Sequence, residues 1–89
     1  MASERILLVD DDTDMQMVLK LYLEKSGYVI FTAEDGIQAI AVIEDKNPEL
    51  IILDVMMPNL DGFELLPIIR KHTDVPVLLF SSIDDDMNK

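Results

Sequence analysis

Asp10 and Asp11 follow the apolar run Ile6-Leu7-Leu8-Val9, Asp54 follows Leu50-Ile51-Ile52-Leu53, and Ser81 and Ser82 follow Val77-Leu78-Leu79-Phe80. Carboxylates at close range repel, and one is driven to take up a proton unless a cation enters. A hard divalent ion resolves the conflict. Magnesium takes one or two carboxylates, keeps several waters and uses phosphate oxygens for the rest. A carboxylate beside such an ion can attack a phosphoryl group, because the ion offsets their mutual repulsion. This chemistry needs Asp10, Asp11, Asp54 and a strand-end hydroxyl in one crevice, although Asp11 and Asp54 are 43 positions apart.

The elements between these residues predict that convergence. Four apolar runs recur, the second being Tyr28-Val29-Ile30-Phe31. None alternates apolar with polar, which is the pattern of parallel strands buried on both faces. Between them lie helix-like stretches. Met15, Val18, Leu19, Tyr22 and Leu23 are spaced as one face of an amphipathic helix that Gly27 ends. Asp35 is placed to cap a second helix carrying Ile37, Ile40 and Ile43, which stops before Asn47-Pro48. Asp61 and Glu64 make a capping-box-like start to a third, with Phe63, Leu66 and Ile69 on one face and a local kink or a lost hydrogen bond expected at Pro67. The order β-α-β-α-β-α-β gives an α/β fold, a doubly wound parallel sheet. Ligands in such sheets bind beyond the carboxyl ends of the strands, which is where the acids stand.

Composition narrows the classes. Eighty-nine residues allow one domain, and the net charge of −11 disfavours nucleic acid and anionic membranes as direct partners. No cysteine is present, so disulfides, thiolate metal sites and cysteine nucleophiles are excluded. No apolar stretch approaches the roughly 20 residues needed to span a bilayer, and the start lacks a signal-peptide pattern, so a cytoplasmic location is expected.

Single residues also have plainer readings. Asp12 and Asp14 fit helix capping or a turn. Met56 and Met57 fit packing, His72 fits the cation-favouring end of a helix, and Asp84 to Asp86 fit an exposed helix start or a frayed end. Asp10, Asp12 and Asp14 have calcium-loop spacing, but that loop needs Gly and Glu where Met15 and Leu21 stand. A haloacid-dehalogenase-like phosphatase, with Asp10 as nucleophile and Asp12 as acid, is a rival. It predicts that Asp10, not Asp54, carries the phosphoryl group.

The blocks Ile6 through Asp12, Leu53-Asp54-Val55-Met56-Met57-Pro58-Asn59-Leu60-Asp61-Gly62, and Val75-Pro76-Val77 through Ser82 together resemble the receiver domain of two-component response regulators. The resemblance runs from about residue 5 to the end. It implies a flavodoxin-like topology with strand order 2-1-3-4. It implies that Asp54 accepts a phosphoryl group from a histidine kinase or phosphotransfer protein. Asp11 would bind Mg2+ directly, Asp10 largely through water, and Met56 through its backbone carbonyl. Ser81 would contact a phosphoryl oxygen, while Pro58, Asp61 and Gly62 would shape the loop. The chain would be a phosphoacceptor switch rather than a turnover enzyme.

The family also implies a fifth strand bearing a lysine, and a final helix. Neither has a counterpart in residues 1–89, which therefore read as a single incomplete receiver domain, and Lys89 follows the fourth run too closely to be that lysine. Impaired phosphorylation and self-association through the fourth strand are expected. A receiver-derived interaction module without productive phosphorylation is the alternative.

Overall fold

The computed structural model describes residues 4–56 and 62–81. The elements are β1 (Arg5–Val9), α1 (Thr13–Lys25), β2 (Val29–Ala33), α2 (Gly36–Lys46), β3 (Leu50–Asp54), α3 (Gly62–Arg70) and β4 (Val77–Phe80). All strand pairs are parallel and the sheet order is β2-β1-β3-β4, as the resemblance implied.

Helix ends follow local chemistry. Asp12 caps α1, its Oδ1 accepting from the N–H groups of Asp14 and Met15 at 3.1 Å. Asp35 caps α2 by accepting from Gln38 N–H at 2.8 Å, and the Gln38 side chain accepts in turn from Glu34 N–H. This reciprocal arrangement satisfies two otherwise orphaned donors. At the other ends, Gly27 (φ 98°) and Asn47 (φ 50°) turn the chain out of α1 and α2 in the left-handed region.

Side chains alternate across β1, so one strand feeds two cores. Leu7 and Val9 pack with Ile51, Leu53 and Ala33 against Ala39 and Ile43 of α2 and Leu65 and Ile69 of α3. Ile6 and Leu8 join Ile30 on the opposite face, under Leu19 and Leu23 of α1. With α1 on one face and α2 and α3 on the other, the sheet is doubly wound. Its winding reverses between β1 and β3, which opens a crevice at their carboxyl ends.

Several expected faces are rotated. The inward stripe of α1 is Gln16, Leu19 and Leu23, whereas Val18 and Tyr22 are exposed and Met15 only borderline. Apolar residues ring this helix, so their spacing alone does not select the buried stripe. In α2 the buried residues are Ala39 and Ile43, and Ile37 is 85% exposed. In α3 they are Gly62, Leu65 and Ile69, while Phe63 points outward. That helix is continuous through Pro67, which lies on its exposed side. The second strand begins at Val29 and runs to Ala33, two residues beyond its apolar run, because β1 supplies partners as far as Val9. Full burial on both faces holds for β1, but Leu78 of β4 is 57% exposed. Asp61, Pro58, Met57, Ser82 and Asp84 to Asp86 lie outside the described residues.

Candidate metal and phosphoryl site

Register builds the site. Val9 of β1 pairs with Leu53 of β3, so the next residues, Asp10 and Asp54, stand side by side at the sheet edge. Both are 1% exposed. Asp11 turns outward and is exposed, yet it stays in reach. One carboxylate oxygen from each of Asp10, Asp11 and Asp54 lies within 4.8 Å of the others.

Backbone N–H groups orient two of the three. Asp10 donates its own N–H to Ala33 O at 3.0 Å, and its Oδ1 accepts from Asp12 N–H at 3.0 Å. Asp54 Oδ1 accepts from Met56 N–H at 2.9 Å, and Val55 N–H reaches Phe80 O at 2.9 Å. Asp10 Oδ2 is buried, and no group among the described residues donates a hydrogen bond to it while both acids are ionised. Its pKa is pushed from 3.8 up to about 6, chiefly by burial. The Asp12 N–H acts in the opposite direction, while Asp54, by a shared proton and by repulsion, and Asp12, by repulsion, add to the rise. A buried carboxylate with an oxygen lacking a donor among the described residues, grouped with two further acids, is a place where a proton or a cation must enter. Three hard oxygen donors suit Mg2+.

The other expected residues fall at the same edge. Ser81 is exposed and follows Phe80, the register partner of Asp54. Met56 is 54% exposed, so its side chain is not held in the core. Asp12 serves as the cap of α1, in line with its plainer reading. Gly62 is buried against the end of β3, where an added Cβ would lie 2.6 Å from Asp54 O.

One buried polar residue beside the site escaped the sequence reading. Gln16 is 5% exposed, and its amide donates to Ala33 O at 2.7 Å. Its signal was available: it lies three and seven residues before Leu19 and Leu23, on their stripe. His72, read from the sequence as a residue at the end of a helix, lies just beyond α3 with its Nδ1 2.6 Å from Glu44 Oε2 of α2.

The sequence pattern of the response regulator receiver domain matches residues 6–89. The chain belongs to the receiver-domain family. This receiver is 39% identical to the alkaline phosphatase synthesis transcriptional regulatory protein PhoP of Bacillus subtilis, over 98% of its own length and 37% of that protein's. It spans about a third of the length of the curated relatives it matches. Among solved structures it resembles the response regulator TrrA of Thermotoga maritima in complex with Mg2+ and BeF. There the identity is 38%, the TM-score 0.81, and the match covers 91% of this receiver and 71% of that chain. TrrA has also been solved in complex with the histidine kinase ThkA. That match has 36% identity and a TM-score of 0.81, and covers 97% and 75% of the two chains. No helix among the described residues is long and apolar enough to cross a membrane.

Proposed function

We propose that this receiver, read as one unit over residues 1–89, takes a phosphoryl group from a histidine kinase or phosphotransfer protein onto Asp54. The observation that carries this reading is the grouping of Asp10, Asp11 and Asp54 carboxylates within 4.8 Å at the ends of adjacent strands. A carboxylate oxygen of Asp54 forms the new O–P bond as the P–N bond of a phosphohistidine breaks. Met56 N–H, 2.9 Å from Asp54 Oδ1, fixes the carboxylate for that attack. Asp10, Asp11, Asp54 and the Met56 backbone carbonyl would hold Mg2+. Bound Mg2+ supplies charge neutralisation and open positions for phosphoryl oxygens. Ser81 donates its hydroxyl to a phosphoryl oxygen. The complex of TrrA with a histidine kinase supports the choice of donor, and its Mg2+-BeF complex supports the ion.

The residues that follow the four strands are Asp10, Glu34, Val55 and Ser81, none of them cationic. A preorganised electrostatic donor aimed at developing charge contributes on the order of 10²–10³ in rate, so phosphorylation of this chain should be slow. The test is mobility on a phosphate-affinity gel after treatment with acetyl phosphate and Mg2+. The wild type should shift and Asp54→Asn should not. A shift that survives in Asp54→Asn but vanishes in Asp10→Asn would replace this reading with the phosphatase-like one.

A second reading, an interaction module that does not carry phosphate, draws on β4. Leu78 and Leu79 of that strand are 57% and 36% exposed. No gel shift in the wild type, together with stable self-association, would favour it.

A further inference from the structure

We infer that Gln16 is a positioning residue for the acidic site, acting on Asp10 through the backbone at the ends of β1 and β2. The inference rests on the reading of the site as an Mg2+ site. Gln16 is a buried amide on an otherwise apolar stripe, where leucine or methionine would pack without needing a partner. Its Nε2 donates to Ala33 O at 2.7 Å, with Leu8 O at a longer 3.4 Å. Ala33 O also accepts from Asp10 N–H at 3.0 Å. On the other side, Gln16 N–H donates to Asp12 O at 3.1 Å, and Asp12 N–H donates to Asp10 Oδ1 at 3.0 Å.

These bonds close a ring. It runs from Asp10 N–H to Ala33 O, through the Gln16 side chain to the Gln16 N–H, on to Asp12, and back to the Asp10 carboxylate. The main chain and side chain of Asp10 are therefore both tied to Gln16, one through the end of β2 and the other through the first turn of α1. Asp10 has 1% of its surface exposed, so little solvent is available to replace a lost tether. Removing the amide leaves the Ala33 carbonyl with one donor instead of two and lets the first turn of α1 move relative to β2. The Asp10 oxygens then lose their fixed placement relative to Asp11 and Asp54. Outer-shell partners of metal ligands commonly contribute 10–100-fold in affinity, and a tether acting one bond further out should sit at the lower end.

The experiment is a Mg2+ titration of the full chain, followed by amide NMR, for the wild type, Gln16→Met and Ile69→Val. Gln16→Met keeps the length of the side chain and removes the donor. Ile69→Val weakens the core on the far face without touching the ring. At a temperature where all three are fully folded by circular dichroism, the Mg2+ Kd of Gln16→Met should rise about tenfold. Ile69→Val should match the wild type. The Asp10 and Asp12 amide protons should also exchange faster in Gln16→Met, with those of β1 unchanged. An unchanged Kd in Gln16→Met overturns the inference and leaves the metal site standing. Absence of Mg2+ binding in the wild type overturns both. If Gln16→Met does not fold, the unmodified chain still decides. The Gln16 side-chain amide signals should move during the titration with the midpoint of the Asp54 amide, and stationary signals overturn the inference.

Discussion

Gly62 and Asp54 meet backbone to backbone, so closely that a Cβ on Gly62 would lie 2.6 Å from the Asp54 carbonyl oxygen and 2.6 Å from Val55 Cα. Neither atom is the end of a flexible side chain, so α3 would have to retreat. Gly62→Ala should therefore destabilise the chain by about 1–3 kcal/mol, the usual cost of overpacking, despite the better helix propensity of alanine, worth at most ~1 kcal/mol. Urea denaturation of the metal-free protein checks this. A gain in stability would show that α3 can move away from β3 at little cost.

Asp10 sets a pH dependence with a definite sign. Its carboxyl titrates near 3.8 when unfolded and at about 6 when folded, so the folded state holds the proton more tightly. Its contribution to stability is complete below about pH 3.8 and is lost as pH rises through about 6. The difference corresponds to roughly 3 kcal/mol at 1.36 kcal/mol per pH unit. Without metal, the wild type should lose stability on this scale between pH 4 and pH 7 relative to Asp10→Asn. Parallel denaturation curves for the two proteins across that range would remove Asp10 as the cause.

Repulsion among the acids gives a paired expectation. In the absence of Mg2+ at pH 7, Asp54→Asn should melt higher than the wild type, because one of three clustered carboxylates is neutral. With Mg2+ in large excess the wild type should gain stability as RT ln(1 + [Mg2+]/Kd), and Asp54→Asn should gain much less. Differential scanning calorimetry with and without the ion tests both halves.

Among the described residues β4 hydrogen-bonds to β3 alone, and its Leu78 is 57% exposed. Open strand edges and exposed apolar surface favour pairing with another chain. The net charge of −11 opposes it. Raising the ionic strength from 0.01 to 0.15 M cuts the Debye length from about 30 to about 8 Å, so salt should promote self-association. Sedimentation equilibrium at the two salt concentrations measures this, and Leu78→Lys should reverse it.

Much of the topology and the acids were legible because they depend on order. Apolar runs such as Ile6 through Val9 announce buried parallel strands wherever they pack, and the residue after each run must reach the carboxyl edge. Asp12 and Asp35 announced helix starts because capping is local. Faces were less legible. Met15, Met17, Val18, Leu21 and Tyr22 crowd α1 with apolar surface, and only contact with Ile6, Leu8 and Ile30 selects the stripe through Leu19 and Leu23. The same stripe contains Gln16, which a search for apolar periodicity passes over. The closeness of Glu44 and His72, 28 residues apart, depends on how α2 and α3 lie across one face, and no local pattern encodes it.

The parallel pairing of Val9 with Leu53 also governs when the site can exist during folding. Asp10 and Asp11 arrive with the β1-α1-β2 half, a unit of nearby contacts that can form early. Asp54 arrives only when β3 docks along β1, after two helices and a strand have been threaded between them. A partly folded chain that stops at β2 therefore carries two of the acids but no competent cluster. Ion binding should accordingly act on the last stage of assembly, slowing unfolding far more than it speeds folding.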